Sequence, residues 1–308
     1  MTYSLLGDIL MIKRFSIRKI LKMTLFIFIV FLFYLFPSEN NVEKTSYVSK
    51  ISNYHDIYLL DRNNYVSKTT ISVKSIEREK LAKDLLLSLI IDSSNKNKIP
   101  NTFNQVIPKN TVIQSVKINN THITVSFNDN IKNIKQNKNK MIECIVYTLT
   151  SINNIKEVEL LIDNKENDFF DKIIYTRDIG INKKYDIVSL NDITRVTLYY
   201  VSKIDEIEYY VPVTKIINSK DDKIKIIVEE LASKSTYESN LMSYLNYETK
   251  LMSYNIEEDR INLYINNSIL SSKEDNKILE EVKYSISNSI SDTMNVSNVH
   301  YYIDNEEF

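Results

Sequence analysis

The chain repeats itself. Two stretches about 140 residues apart carry the same order of strand, helix and turn signals, and a duplication at this period predicts two similar domains. The first copy covers residues 47–166 and the second residues 192–308. Residues 167–191, with Gly180, Asn182, Lys183 and Lys184, read as the linker.

Each copy opens with a pair of strands of hairpin character, residues 56–60 with 65–70 and residues 195–201 with 210–215. A helix follows. Residues 77–91 place Leu81, Leu85 and Leu89 on one face, and residues 224–232 do the same with Ile227, Val228 and Leu231. Two alternating strands come next, residues 111–118 and 122–127, then 249–256 and 260–265. Their turns are polar: Asn119-Asn120, suited to the positive φ of a two-residue primed turn, and Glu257-Glu258-Asp259. A second helix, residues 138–151 or 277–291, leads to a last strand, and the closing runs ELLIDNKE (159–166) and HYYIDNEE (300–307) match well. The order β-β-α-β-β-α-β predicts an α+β fold, each copy a mostly antiparallel sheet with its helices packed on one face. Roughly 115 residues per copy suffice for an independent core.

Residues 23–36 (MTLFIFIVFLFYLF) are apolar without a break and follow Lys13, Arg14, Arg18, Lys19 and Lys22. That pattern is an export signal or a membrane anchor. The run spans only about 21 Å as a helix, against a hydrocarbon core of roughly 30 Å. Ile17, Ile20 and Leu21 lengthen it if the neighbouring cations snorkel, and residues 37–41 (PSENN) lack a small-x-small cleavage site. An uncleaved N-terminal membrane-anchor helix is therefore expected, a cleaved signal peptide being the alternative. The basic flank puts residues 1–22 in the cytoplasm and everything after Pro37 outside, whether translation starts at Met1 or Met11.

Lysine and arginine (39) balance aspartate and glutamate (40), so no field collects phosphate backbones, and nucleic acid is not an expected partner. Only two glycines exclude most phosphate-cradling loops and leave positive-φ turns to asparagine and aspartate. The single cysteine, Cys144, lies in an apolar helical context and is expected in the core. His55, His122 and His300 are far apart and read as surface or edge residues. The acidic runs Asp221-Asp222, Glu229-Glu230, Glu257-Glu258-Asp259 and Glu306-Glu307 contain the residue type of a glycosidase pair, but adjacent carboxylates point apart and read as solvated surface. The basic run KNIKQNKNK (132–140) could touch anionic lipid or peptidoglycan, yet it is also what an exposed lysine- and asparagine-rich loop looks like. No catalytic, cofactor-binding or metal-ligating residue is assigned, no cofactor is expected, and the chain does not read as an enzyme.

Several runs in order resemble one known family. They are IPKNTVIQSV (107–116), similar to a leucine-proline-x-glycine-threonine opening; VSF (125–127); VYTLT (146–150), similar to a tyrosine-threonine-leucine helix; and residues 158–164, which close like a valine-x-apolar-aspartate-glycine segment. Asn110 and Asn164 stand where that pattern has glycine. Together they resemble the GerMN-domain family, the GerM-like sporulation and spore germination proteins of endospore-forming bacteria, here in tandem. Family members are commonly lipoproteins, and this chain has no cysteine directly after its apolar run. The resemblance implies a non-catalytic, single-pass cell-membrane protein with extracytoplasmic domains between the mother-cell and forespore membranes. There it would support assembly of a membrane complex through protein partners, in domains that look like ring-building modules. A cell-envelope enzyme or peptidoglycan-binding protein is the rival reading, with peptidoglycan as a second candidate partner. A ligand-cleft receptor is disfavoured because the domains look separately cored.

Overall fold

The computed structural model describes residues 24–26, 54–135, 137–233, 240–271, 277–294, 296 and 298–308. Asn53–Phe308 form one compact unit. The expected anchor falls outside the described residues except at Thr24, Leu25 and Phe26, which are helical, and no described helix is long and apolar enough to cross a membrane.

The first copy opens with the antiparallel hairpin β1 (Tyr54–Asp61) and β2 (Val66–Ser72). Asp61 shapes its loop by accepting the N–H groups of Asn63 and Tyr65 on Oδ1. Helix α1 (Arg78–Leu89) buries Leu81, Leu85 and Leu89, the stripe its spacing predicts. The short β3 (Phe103–Asn104) returns to pair with β1. Strands β4 (Ile113–Asn119) and β5 (His122–Phe127) form a second hairpin. Helix α2 (Lys138–Leu149), capped by the Asn137 side chain, then crosses to β6 (Glu157–Ile162). β6 pairs parallel with β5, and β7 (Ile174–Tyr175) completes a sheet of order β4-β5-β6-β7.

After β8 (Lys184–Asp186) the second copy repeats the plan. β9 (Ile193–Ile204) and β10 (Ile207–Asn218) form its hairpin, and α3 (Lys223–Ala232) is capped by Asp222. β11 (Leu251–Glu257), β12 (Arg260–Ile265), α4 (Glu280–Met294), β13 (Asn298–Ile303) and β14 (Glu306–Glu307) follow. They build the sheet β11-β12-β13-β14, again with a parallel central pair.

The single, mostly antiparallel sheet expected of each copy is thus two sheets. A helix between β5 and β6 carries the chain back to its starting end, so its neighbour must run parallel. The opening hairpins are not part of the four-stranded sheets, although each packs on the helices of its own copy. They join each other in a six-stranded sheet of order β3-β1-β2-β10-β8, with β9 also on β10. One cluster of buried apolar side chains runs through both copies, so they share a core in place of the two separate ones expected. Residues 167–191, read as a linker, supply β7 and β8 to two of these sheets.

Turns that elsewhere use glycine are made by acidic and amide residues. In both closing runs the IDN sequence is a primed turn: Asp163 and Asn164 have φ of 50° and 59°, Asp304 and Asn305 of 50° and 68°. The β4–β5 turn sits one residue later than expected. Asn119 pairs with His122, so the loop is Asn120-Thr121, and of the two only Asn120 has a positive φ, 54°. Glu258 holds the matching place in the second copy with φ 53°.

Candidate functional site at the junction of the copies

The residues with catalytic potential in the sequence are dispersed. His122 lies between Glu157 and Glu159 of β6, at 3.3 and 3.4 Å, and His300 pairs with Glu307. Cys144 is fully buried, and burial pushes its thiol up. Adjacent acids take different partners: Glu230 holds Lys215 at 2.6 Å, while Glu229 faces Lys225. Three of the four lysines in residues 132–140 are engaged, Lys132 with Asp129, Lys138 with Asp171 and Lys140 with Asn182. Among the described residues no group of three or more His, Cys, Asp or Glu could hold a metal ion.

The densest polar chemistry lies where the copies meet. β2 and β10 have one register pair, Lys68 opposite Tyr210. Beyond it the strands are spliced by a side chain. Asn182 donates from Nδ2 to the carbonyl oxygens of Val66 and Pro212, both at 2.7 Å, and its Oδ1 accepts the Val66 N–H at 2.9 Å. One amide therefore replaces a rung of the ladder. Its own N–H donates to Glu143 Oε2 on α2, at 3.1 Å. Burial raises the Glu143 carboxyl above its ordinary range, with Lys140, that hydrogen bond and Lys183 opposing.

Asp61 makes a second tie. Its Oδ2 accepts from Tyr209 of β10 at 3.0 Å and from Ser67, and burial likewise raises this carboxyl. The outer edges of the shared sheet are closed by helix hydroxyls. Thr148 of α2 accepts the Tyr58 N–H at 3.0 Å, and Ser289 of α4 accepts the Tyr199 N–H at 2.9 Å, the same bond 141 residues later. The Tyr58 and Tyr199 hydroxyls meet at 3.1 Å, and Tyr199 donates to Asp292 Oδ2 at 2.6 Å.

Arg177, from the segment read as a linker, completes this network. It ion-pairs with Asp292 of the second copy, and it donates to Thr150 and Ser151 of the first at 2.9 and 3.2 Å. Its guanidinium lies 4.9 Å from the Tyr147 ring centroid. Burial alone would lower its affinity for a proton, but Asp292 and the tyrosines outweigh it and raise it. Asp292 is doubly engaged, by the Arg177 guanidinium on Oδ1 and by the Tyr199 hydroxyl on Oδ2. Arg177 and Asn182 are both absent from the sequence-level candidates. Both lie in the segment read as a linker, where Gly180 has φ 72°.

A cleft of about 1070 Å³ opens over this network. Its walls include Asp56, Lys68 and Tyr199, with Lys156, Arg195 and Lys223 contributing cations. A cleft between the copies was not expected of separately cored domains; its lining comes from both, Asp56 and Lys68 from the first and Thr197 and Asp292 from the second.

Comparison with known proteins agrees with this duplicated architecture. A family model described as "Germane: Sporulation and spore germination" matches residues 56–168 and again residues 197–307. Spore germination protein GerM of Bacillus subtilis (strain 168) is 30% identical over 261 residues, 79% of this chain and 69% of that protein. The solved tandem GerMN domains of the sporulation protein GerM from Bacillus subtilis superpose with a TM-score of 0.74 at 28% identity, covering 82% of this chain and 91% of that one. With both copies matched and their tandem arrangement reproduced, the chain belongs to the Germane family of sporulation and spore germination proteins.

Proposed function

We propose that this chain is a non-catalytic, membrane-tethered sporulation protein that acts by protein–protein assembly outside the cytoplasm. Its domains are residues 47–166 and 192–308, joined by residues 167–191, and residues 23–36 tether them to the cell membrane with a single span. The compartment is the space between the mother-cell and forespore membranes. The observation that carries this reading is the engagement of the junction's chemistry: Arg177, Asp292, Asp61, Glu143 and Asn182 all bond across or beside the seam between the copies. Such groups fix a rigid two-copy body, which suits a scaffold that presents surfaces at set angles.

The second reading, a peptidoglycan-binding protein or cell-envelope enzyme, draws support from the cleft, which is large enough for a short glycan or peptide. One experiment separates them. Full-length protein in sporulating-cell membranes is cross-linked and its neighbours are identified, and in parallel purified protein is incubated with peptidoglycan. Specific enrichment of a membrane-complex protein supports assembly. Retention on peptidoglycan with cleft-wall variants releasing it supports the second reading, and release of soluble glycan sinks the first.

A further inference from the structure

The charges lining the junction cleft are unevenly matched. Of its four acids, Asp56 holds Lys68 at 2.8 Å, and Asp292 holds Arg177 and the Tyr199 hydroxyl. Glu157 lies 3.3 Å from His122, and Asp178 accepts the Thr176 hydroxyl at 3.1 Å. The hydroxyls are engaged within the fold as well: Thr150 donates to the Val146 carbonyl oxygen, Ser291 to that of Val296, and Thr197 pairs with Thr214. Among the described residues three cations of the lining are left over. The Lys156 and Lys223 ammonium groups meet no carboxylate there, and Arg195 bonds the Asp178 carbonyl oxygen but no acid. All three are exposed, so they sit at the mouth of the cleft.

Unmatched cations call for carboxylates or phosphates, and the rest of the cleft decides between them. Its walls carry five cations against four acids, too small an excess to hold a bare polyanion. The floor is adverse to one. The last turns of α2 and α4 bring their negative ends there, beside Asp292. An extended acidic peptide suits both levels. Its side-chain carboxylates reach the cations at the mouth, while its backbone N–H groups face the negative groups below. The volume of about 1070 Å³ exceeds the roughly 300–1,000 Å³ of small-molecule pockets, which leaves room for several residues of chain.

We propose that the junction cleft is a docking site for an acidic segment of a partner protein, whose carboxylates are taken by Lys156, Arg195 and Lys223. The inference rests on the assembly reading above and names the chemistry of one of its contacts. Lys156 stands at the entry to β6 of the first copy, whereas Arg195 on β9 and Lys223 at the start of α3 belong to the second. The site is therefore complete only when the copies are held together, which gives the rigid junction a role in recognition.

The test uses full-length protein in lipid nanodiscs, panned against a library of random dodecapeptides. The recovered peptides are expected to be rich in aspartate and glutamate, and one of them is labelled and its affinity measured by fluorescence anisotropy. The Lys156→Glu/Arg195→Glu/Lys223→Glu variant should weaken binding about tenfold or more, since like charges then face the peptide. Changing the peptide's acids to their amides should do the same to the parent protein. Lys80→Glu/Lys117→Glu reverses two exposed lysines outside the cleft and should leave binding unchanged. If the triple variant folds poorly, Lys156→Gln/Lys223→Gln spares the Arg195 bond and should still weaken binding. A recovered set without acid enrichment, an affinity unmoved by the folded cleft variants, or an equal loss in Lys80→Glu/Lys117→Glu overturns the proposal. So does retention on peptidoglycan that the cleft variants release while peptide binding stays intact. Cross-linking in sporulating-cell membranes keeps the two readings apart. Neighbours retained by the cleft variants would remove this site and leave the assembly role standing, whereas cleft-dependent acidic peptides with no neighbour for the parent would sustain the site and remove that role.

Discussion

At the scale of single residues, Asn182 carries an unusual share of the structure. Removing its side chain strands the Val66 N–H and two carbonyl oxygens at a buried seam. Asn182→Ala is expected to cost about 3 kcal/mol, measured by urea unfolding. Asn182→Gly relieves the φ of 45° but restores no bond, so it remains destabilised if the splice, and not backbone strain, is the cause. Glu143 gives a pH signature. Its folded carboxyl is raised, so its stabilising contribution is present below the ordinary value of 4.5 and is lost as pH rises through the folded value. Glu143→Gln keeps an acceptor for the Asn182 N–H and removes the ionisation. Its stability relative to the parent should therefore climb between about pH 4.5 and neutrality. A difference that stays flat across that range would show that the buried carboxyl does not control it. Neither residue was legible in the sequence. Asn182 was read as linker and Glu143 was not singled out, because the strand gap that Asn182 fills, and that Glu143 supports, exists only once distant hairpins meet.

At the scale of elements, much was legible, and the failures share a cause. The stripe Leu81, Leu85, Leu89 marked α1, and Asn164, standing where the family pattern has glycine, marked a position of positive φ (59°), because both signals are local. Strand partners are not local. The sequence marked β5, α2 and β6 in order but held no sign that the two opening hairpins would pair with each other. Helix α2 is enclosed on every side. Residues Met141 through Leu149 are all buried, since α1, β1, β2 and the turn at Arg177–Ile179 contact it. The hydroxyls that close the shared sheet test this packing. Thr148→Val and Ser289→Ala each leave one strand N–H unpaired, at Tyr58 and Tyr199. Each should cost about 1–3 kcal/mol, and the two losses should be similar because the bonds are equivalent. A loss confined to one copy would mean that the edges are closed by different means.

At the scale of the whole molecule, the duplication has produced one folding unit. A continuous core, a shared sheet, the Asn182 splice and the Arg177–Asp292 pair all cross between the copies. Each tie is available only when both copies are folded, so partial unfolding of either one exposes apolar surface and orphans polar groups on the other. Thermal unfolding of residues 53–308 should accordingly follow a single transition, with probes placed in either copy reporting the same midpoint. Arg177→Met removes the cation that Asp292 faces and should cost about 3 kcal/mol, as breaking a buried pair does. Combined with Asn182→Ala it cuts two of the polar ties, leaving the Asp61–Tyr209 bond and each four-stranded sheet intact. The double variant is then the case in which two transitions should separate. Two separated transitions in the unaltered protein would mean that the copies fold independently, and that the seam fixes their geometry without coupling their stability.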